Sequence, residues 1–388
     1  MFDSALIADD PAELGIDPTK LAELTARARA EVDDGLLPSA QFAVARHGRI
    51  AHFETFGEAT NETLYGIYSS TKAVTSTAGW LMIQEGKLDI AQRAAEIVPE
   101  FGANGKEAIT VEQLFLHTAG FPSAPFRPVE WHDRARRLER FSSWRLNWEP
   151  GSRFEYHPTS SMYVIAEIVE RLSGVPFLTF VKQRIFEPLG LADEFWLGLP
   201  EREGARVAEV AMAGEPPTPQ DYRDRGLPVP PQTEVTPDAL TSFNRPEVRG
   251  AGVPGGGGIS SAAGIALFYQ ALLNGGRAAG GPEVWSQQTI DYGLTVRSGD
   301  HVDMMYGKTV DRALGLCVAG DADRNLRGFG HTNSEGAFGH GGAGGQIAWG
   351  DPATGISFGY CTNGHDQNPF RQGRRGVSLS TRAAALLA

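Results

Sequence analysis

Two serines stand in spacings that could do nucleophilic chemistry, and their neighbours set them apart. A serine hydroxyl is a weak nucleophile until a nearby base takes its proton. In "IYSSTKAV", Ser69 has Lys72 three positions on. At the start of a helix that spacing puts both side chains on one face. An ordinary lysine, with a pKa of about 10.4, is neutral less than ~0.1 % of the time at pH 7. A helix N-terminus and burial both lower that pKa, which turns the amine into a usable proton acceptor. The same helix end offers the Ser69 amide N–H to an oxyanion.

The second serine, Ser357, sits in "GISFG", the Gly-x-Ser-x-Gly spelling of a nucleophile elbow. An elbow needs a strand, a strained turn and a helix that begins at once. Here Asp351 to Gly355 reads as a turn, and Ile356, Phe358 and Tyr360 then alternate with the period of a strand. Thr362-Asn363-Gly364 is another turn signal and no helical pattern follows. Ser357 is therefore expected inside a strand, not as a nucleophile.

Two further groups join Ser69 and Lys72. "PGSRFEYHP" places Tyr156 on a loop just before a helix, and "FGHGGAGG" places His340-Gly341-Gly342 on a strand. Ser69-x-x-Lys72, Tyr156-x-Pro158 and His340-Gly341-Gly342, in that order, resemble the three motifs of the serine β-lactamase and penicillin-binding-protein superfamily. With "HTAGFP", "EPGSRFEY" and "GVPGGGGISSAAGIALFYQALLNGG", the chain resembles the class C β-lactamases and the family VIII carboxylesterases from about residue 13 to its end.

The resemblance implies an α/β (α+β) fold of the β-lactamase/DD-peptidase kind, an antiparallel sheet flanked by helices with an inserted, mainly helical domain. It implies Ser69 as nucleophile and Lys72 as its proton partner. Tyr156 is then the general base, as phenolate or sharing its proton with Lys72. The Ser69 and Ala343 amides are the implied oxyanion hole. Gly341 and Gly342 let the strand backbone approach a substrate closely. His340, His157 and Pro158 are expected near the substrate, and His117 of "HTAG" reads as structural.

Two departures from the family pattern bear on substrate. The third motif of the β-lactamases usually begins with lysine, and here it is His340. The second usually ends in asparagine, and here it is Pro158, which has no side-chain donor. A carboxylate-bearing β-lactam loses a fixed cation and an amide clamp, so neutral short-chain esters are expected, cleaved through an acyl-enzyme. Acyl transfer to an apolar alcohol is expected as a side activity. Phe121, Phe126, Trp131 and Trp148 are candidate walls for that alcohol, or core residues. The alternatives are a β-lactamase or D-amino-acid peptidase, and a non-catalytic binding protein on the same fold.

The elements that must position these residues follow from pattern. Residues 18–34 read as an amphipathic helix, and two strands flank the His47-Gly48 turn. "SSTKAVTSTAGWLMIQEGK" is a helix stopped by Gly86, and residues 160–173 form another, stopped by Gly174. Residues 201–250 hold Pro216, Pro217, Pro219, Pro228, Pro230, Pro231 and Pro237 and read as a long irregular lid or linker. Ser260 and Ser261 are candidate caps of the next helix. Strands are expected near 313–319, 336–349 and 355–361, and a last helix from about 377. One sheet built from both termini accounts for this order, antiparallel because its tail strands are joined by short turns. The expected domains are 1–95 with 251–388, and a helical 96–250 with its Pro-rich loop at 201–250.

Composition narrows the partners. A net charge of −12 repels nucleic-acid phosphate and anionic membranes. No apolar run has the length of a membrane span. The start, "MFDSALIADDPAELGID", has no apolar core of a secretory signal, which favours the cytoplasm. Cys317 and Cys361 lie in apolar runs and read as buried thiols. No metal motif and no nucleotide loop is present, so a small-molecule ester is the expected partner, with no cofactor and no metal. Oligomeric state is not legible.

Overall fold

The computed structural model describes residues 2–229, 236–304 and 306–388; Pro230 and Pro231 of the proline-rich stretch fall outside them. Eight strands and five helices position the site. The strands are β1 (Ser39–Arg46), β2 (Arg49–Gly57), β3 (Tyr65–Tyr68), β4 (Gly258–Ser260), β5 (Cys317–Val318), β6 (Phe338–Gly339), β7 (Ile347–Asp351) and β8 (Ile356–Thr362). The helices are α1 (Pro18–Asp33), α2 (Thr71–Gln84), α3 (Ser160–Ser173), α4 (Ala262–Leu273) and α5 (Pro369–Ala384). Six strands from both ends of the chain form one sheet in the order β2-β1-β8-β7-β6-β5, with every neighbouring pair antiparallel. A small second sheet pairs β4 with β3 and with Phe195–Leu197.

The alternation along β1 explains the layers. Phe42 and Val44 face α1 and α5, packing with Leu24, Ala28, Phe358 and Leu379. Ala43 and Ala45 face the other way, into the core built with α2 and α4. Small residues on that face let α4 lie close to the sheet. This core continues from the sheet into the helices of residues 94–191. α1 begins where Asp17 accepts from the Thr19 and Lys20 amides and Pro18 occupies the first helical position. Ser261 caps α4 by accepting from Gly264 N–H, whereas Ser260 ends β4 and donates to the Glu194 carbonyl instead.

Several boundaries differ from expectation. The strand expected over 336–349 is a hairpin of β6 and β7, with a turn at Ala343–Gly345 closed by the Gly342–Gln346 bridge. The strand expected over 313–319 shrinks to Cys317–Val318, because Ala313–Leu316 is a tight turn. α5 begins at Pro369, not near 377, because Asn368 caps the Phe370 and Arg371 amides. Arg375, ahead of the expected helix start, is buried beside Asp366. The proline-rich segment holds short helices at Pro219–Arg223, Pro237–Thr241 and Pro246–Ala251, each opening on a proline whose missing N–H costs nothing there. Cys317 and Cys361 are free, buried thiols. Among the described residues, no helix is long and apolar enough to cross a membrane.

Candidate active site

Ser69 lies in the turn between β3 and α2. The residue before it, Tyr68, has φ +45°, a conformation a tyrosine rarely adopts. Thr71 holds that strained backbone: its hydroxyl donates to the Tyr68 carbonyl and accepts from Gly258 N–H at 2.8 Å. Ser70 is the residue before α2, and its side chain makes no capping bond. The positive end of the helix is therefore not covered by a cap.

Lys72 Nζ is 3.1 Å from Ser69 Oγ, 2.6 Å from the Pro158 carbonyl and 2.8 Å from the Gly255 carbonyl. Lys72 is fully buried, and burial first, then the Arg312 charge, holds its pKa well below the ordinary lysine value. A neutral amine has two N–H bonds and one lone pair. The two carbonyls accept the two N–H bonds, since a carbonyl can only accept. In that form the lone pair faces the Ser69 hydroxyl, which is the geometry of a base; as an ammonium the same nitrogen donates its third N–H to Ser69 Oγ.

The Tyr156 ring is boxed in by polar groups. Lys72 Nζ is 5.0 Å and the Arg312 guanidinium carbon 5.6 Å from its centre. The His117 and His340 rings lie 4.7 and 5.9 Å away. The Tyr156 hydroxyl is buried, and its approach to Ser69 stops short of a hydrogen bond of good geometry. Burial pushes its pKa up to about 12, against the smaller pull of Ser69 and Arg312. The phenolate form is thereby disfavoured at neutral pH, which leaves the shared-proton version of the expected role.

Two histidines hold the Tyr156 loop. His117 Nδ1 accepts from His157 N–H at 3.2 Å, and His157 Nε2 accepts from Phe121 N–H at 3.1 Å. His157 Nδ1 donates to the Glu155 carbonyl at 2.6 Å. Burial keeps both rings neutral, with His157 lowered to about 4. His157, expected near the substrate, is instead fully buried with both ring nitrogens engaged by backbone. Pro158 corrects in the same way: what it brings to the site is its carbonyl, aimed at Lys72. His117 sits in its structural place, at φ +59°.

The third motif lies on the far side of the site. His340 Nδ1 donates to the Gly341 carbonyl at 2.8 Å, and Nε2 is buried without a partner. Burial, then the charge of Arg312, holds the pKa of this ring well below the ordinary histidine value. Gly342 packs so tightly on the Ile67 carbonyl that a Cβ there would collide with it. That approach carries the Ala343 turn to the edge where Ser69 emerges. Among the described residues, the Ser69 and Ala343 amides donate to no protein group.

Ser357 is inside β8 and fully buried, donating to the Ala266 carbonyl at 2.7 Å and accepting from Gln270 at 3.0 Å. Phe121 and Trp131 belong to the core, and Phe126 stacks on Tyr163 at 4.0 Å, so these three serve packing. Trp148 stands edge-on to His157 at 5.9 Å. The Gly255 carbonyl, in the loop "GVPGGGG", is a partner of Lys72 that no sequence pattern marks. Nor does any local signal mark Arg312. Among the described residues, no group of histidine, cysteine and carboxylate side chains could hold a metal ion.

Comparisons with known proteins agree with this arrangement. A relative in Escherichia coli (strain K12), named "Putative D-alanyl-D-alanine carboxypeptidase", is 26 % identical over 378 residues, covering 89 % of this chain and 83 % of its own. A penicillin-binding-protein homologue from Caulobacter crescentus superposes with a TM-score of 0.77 at 27 % identity, over 96 % of this chain and 99 % of that one. The structure of a family VIII carboxylesterase gives 0.76 at 25 % identity, over 95 % and 99 %. The family description Beta-lactamase matches residues 24–383. With that match over nearly its whole length, the chain belongs to the Beta-lactamase family and is a serine hydrolase of the β-lactamase-like superfamily.

Proposed function

We propose that this hydrolase is a carboxylesterase that cleaves short-chain esters through an acyl-enzyme on Ser69. The observation that carries the reading is the buried Lys72 amine, 3.1 Å from Ser69 Oγ with its two N–H bonds committed to the Pro158 and Gly255 carbonyls. The steps follow from that geometry. Neutral Lys72 takes the Ser69 proton as Oγ attacks the ester carbonyl. The oxygen that becomes negative is received by the Ser69 and Ala343 amides, each donor worth about 3–4 kcal/mol in such sites. Tyr156, protonated in its buried place, relays the proton to the departing alcohol. Water then enters by the reverse route and releases the acid.

The choice of ester over lactam rests on the second and third motifs. Pro158 supplies a carbonyl to Lys72 and no amide to a substrate side chain. His340 is neutral where the family pattern has lysine. The solved carboxylesterase at 25 % identity supports the same choice. The test compares p-nitrophenyl butyrate with nitrocefin, each against a Ser69→Ala control. Ester turnover far above lactam turnover is expected; cephalosporin hydrolysis at rates like those for the ester overturns the reading. Vinyl acetate with benzyl alcohol in buffer tests acyl transfer, which predicts benzyl acetate above the control.

A further inference from the structure

The residue that precedes the nucleophile carries a side chain for which the ester mechanism has no task. Tyr68 has φ +45°, and a bulky residue keeps that backbone only where its surroundings hold it. Its side chain is buried, and its hydroxyl donates to the Leu240 carbonyl at 3.2 Å. Its ring stands edge-on to Phe243, with the ring centres 5.4 Å apart. Burial holds the pKa of the hydroxyl above the ordinary tyrosine value, against the smaller pull of Arg249, so it stays a donor at neutral pH.

Leu240 and Phe243 lie at the end of the proline-rich stretch, and that end is itself anchored. The Asn244 side chain exchanges two hydrogen bonds with the Val210 backbone, at 2.8 and 2.9 Å. Arg249 Nε donates to the Phe243 carbonyl at 2.7 Å. Leu240, Val248 and Ala251 are buried. From Ala251 the chain runs directly into "GVPGGGG". There the Pro254 carbonyl accepts from Thr75 Oγ1 at 2.6 Å and the Gly255 carbonyl from Lys72 Nζ at 2.8 Å. Gly258 N–H donates to Thr71 Oγ1 at 2.8 Å. One continuous stretch, residues 236–258, therefore holds Tyr68 before the nucleophile and Thr71, Lys72 and Thr75 after it.

The turn at Tyr68 is the strained part of this arrangement. A left-handed residue relaxes toward negative φ once it is released, and rotation there displaces the next residue, Ser69. Ser69 Oγ has 3.1 Å to Lys72 Nζ. A displacement of about 1 Å takes it out of hydrogen-bond reach, and misplacement on that scale costs about 10²-fold in rate.

We infer that Tyr68 is a positioning residue for the nucleophile: its hydroxyl on the Leu240 carbonyl and its ring against Phe243 fix the left-handed turn that sets Ser69 Oγ against Lys72. Residues 236–258 thereby act on the reactivity of the serine and not only on access to it. The inference rests on the Ser69–Lys72 pair of the proposed mechanism and holds for any acyl donor.

The experiment compares wild type with three variants. Tyr68→Phe loses only the hydroxyl, Tyr68→Leu loses the aromatic ring as well, and Phe243→Leu removes the ring contact from the other side. Two readouts are taken on folded protein: the rate of labelling by a small fluorophosphonate, and kcat and KM for p-nitrophenyl acetate. Labelling needs Ser69 and its base but no ester turnover. Tyr68→Phe and Phe243→Leu are each expected to slow labelling and lower kcat by at least about fivefold, and Tyr68→Leu by about 10²-fold, with KM within about twofold of wild type. The double variant Tyr68→Phe with Phe243→Leu is expected to lose less than the product of the two, because both act through one turn. The acid limb of the pH profile stays in place, since burial and Arg312 set the Lys72 proton affinity.

Labelling at the wild-type rate in Tyr68→Phe and Phe243→Leu overturns the inference, whatever those changes do to the melting temperature. A raised KM with labelling unchanged makes Tyr68 a substrate contact and overturns it as well. Losses that multiply mean that Phe243 acts separately from Tyr68, which overturns the link to residues 236–258. Where Tyr68→Leu does not fold, the other two variants decide. If p-nitrophenyl acetate is not cleaved, the ester reading falls, and the labelling rates still decide the role of Tyr68.

Discussion

Lys72 Nζ and Ser69 Oγ lie 3.1 Å apart, and the lysine reaches the serine while also donating to the Pro158 and Gly255 carbonyls. Those carbonyls come from segments 86 and 183 residues away in sequence, so this setting of the amine exists only once the chain is folded. They fix the amine in position and, in its neutral form, leave its lone pair a single direction. A lysine on the same face of an exposed helix would be an ammonium and would take no proton.

The proposed nucleophile is tested against the serine with the better-known spelling. Ser69→Ala is expected to abolish ester hydrolysis and labelling by a fluorophosphonate. Ser357→Ala is expected to keep the activity but to lose about 1 kcal/mol of stability, because the Ala266 carbonyl and Gln270 each lose a buried hydroxyl partner. Peptide mass spectrometry after labelling places the adduct, and a label on Ser357 would overturn the assignment.

The pH profile follows from the proposed role of Lys72, which requires its neutral form. Burial and the Arg312 charge lower its pKa, so kcat/KM is expected to hold through neutral pH and to fall as acid protonates the amine. On the alkaline side the rate is expected to persist, since Tyr156 ionises only at about 12. Arg312→Met removes a positive neighbour of Lys72, which raises the lysine pKa and moves the acid limb to higher pH. Lys72→Arg, charged throughout, is expected to be inactive at every pH. Initial rates with p-nitrophenyl butyrate across the range check all three signs.

Lys72 and Tyr156 are proposed to serve one proton path. Lys72→Ala and Tyr156→Phe are each expected to lower kcat by several orders of magnitude, and the double variant to be little worse than either. Losses that add in free energy would mean two independent roles.

His117 holds the Tyr156 loop from an unfavourable backbone, at φ +59°. Its Nδ1 accepts from His157 N–H, so His117→Ala is expected to cost about 1–3 kcal/mol and to lower kcat more than it raises KM. His117→Asn, from a residue type that tolerates this conformation, is expected to melt closer to wild type. Thermal melts and ester kinetics on both variants separate strain from the lost acceptor.

Gly342→Ala tests the proposed oxyanion hole through its backbone. A Cβ at Gly342 collides with the Ile67 carbonyl, two residues before Ser69. The Ala343 amide must then shift away from Ser69, and loss of one such donor lowers kcat by about 10²–10³. A kcat within a few-fold of wild type would remove Ala343 from that role.

What the sequence determined by itself was local. Ser69 and Lys72 share a helix end, Ser357 falls inside a strand, and an antiparallel sheet joins the two ends of the chain; each is written in spacings of a few residues. α3 was legible because its apolar period is unbroken and Gly174 stops it in a left-handed turn. α5 was misjudged by some eight residues because its start is decided by the Asn368 cap and by the burial of Arg375 against Asp366, a contact across elements. The proton states are further still from sequence. The proton affinity of Lys72 is lowered, that of Tyr156 raised, and His157 is tied to backbone through both ring nitrogens because of what surrounds each ring or amine, and the surroundings come from distant segments. Arg312 stands in "DRALGL", where no periodicity or motif marks it. Only the tertiary fold, which ties the following turn to α2 through the bond from Trp80 Nε1 to the Leu314 carbonyl, sets this charge 5.6 Å from the Tyr156 ring centre. Spacing encodes which side chains share a face; burial and long-range electrostatics, which fix proton affinity, arise only when the faces close on one another.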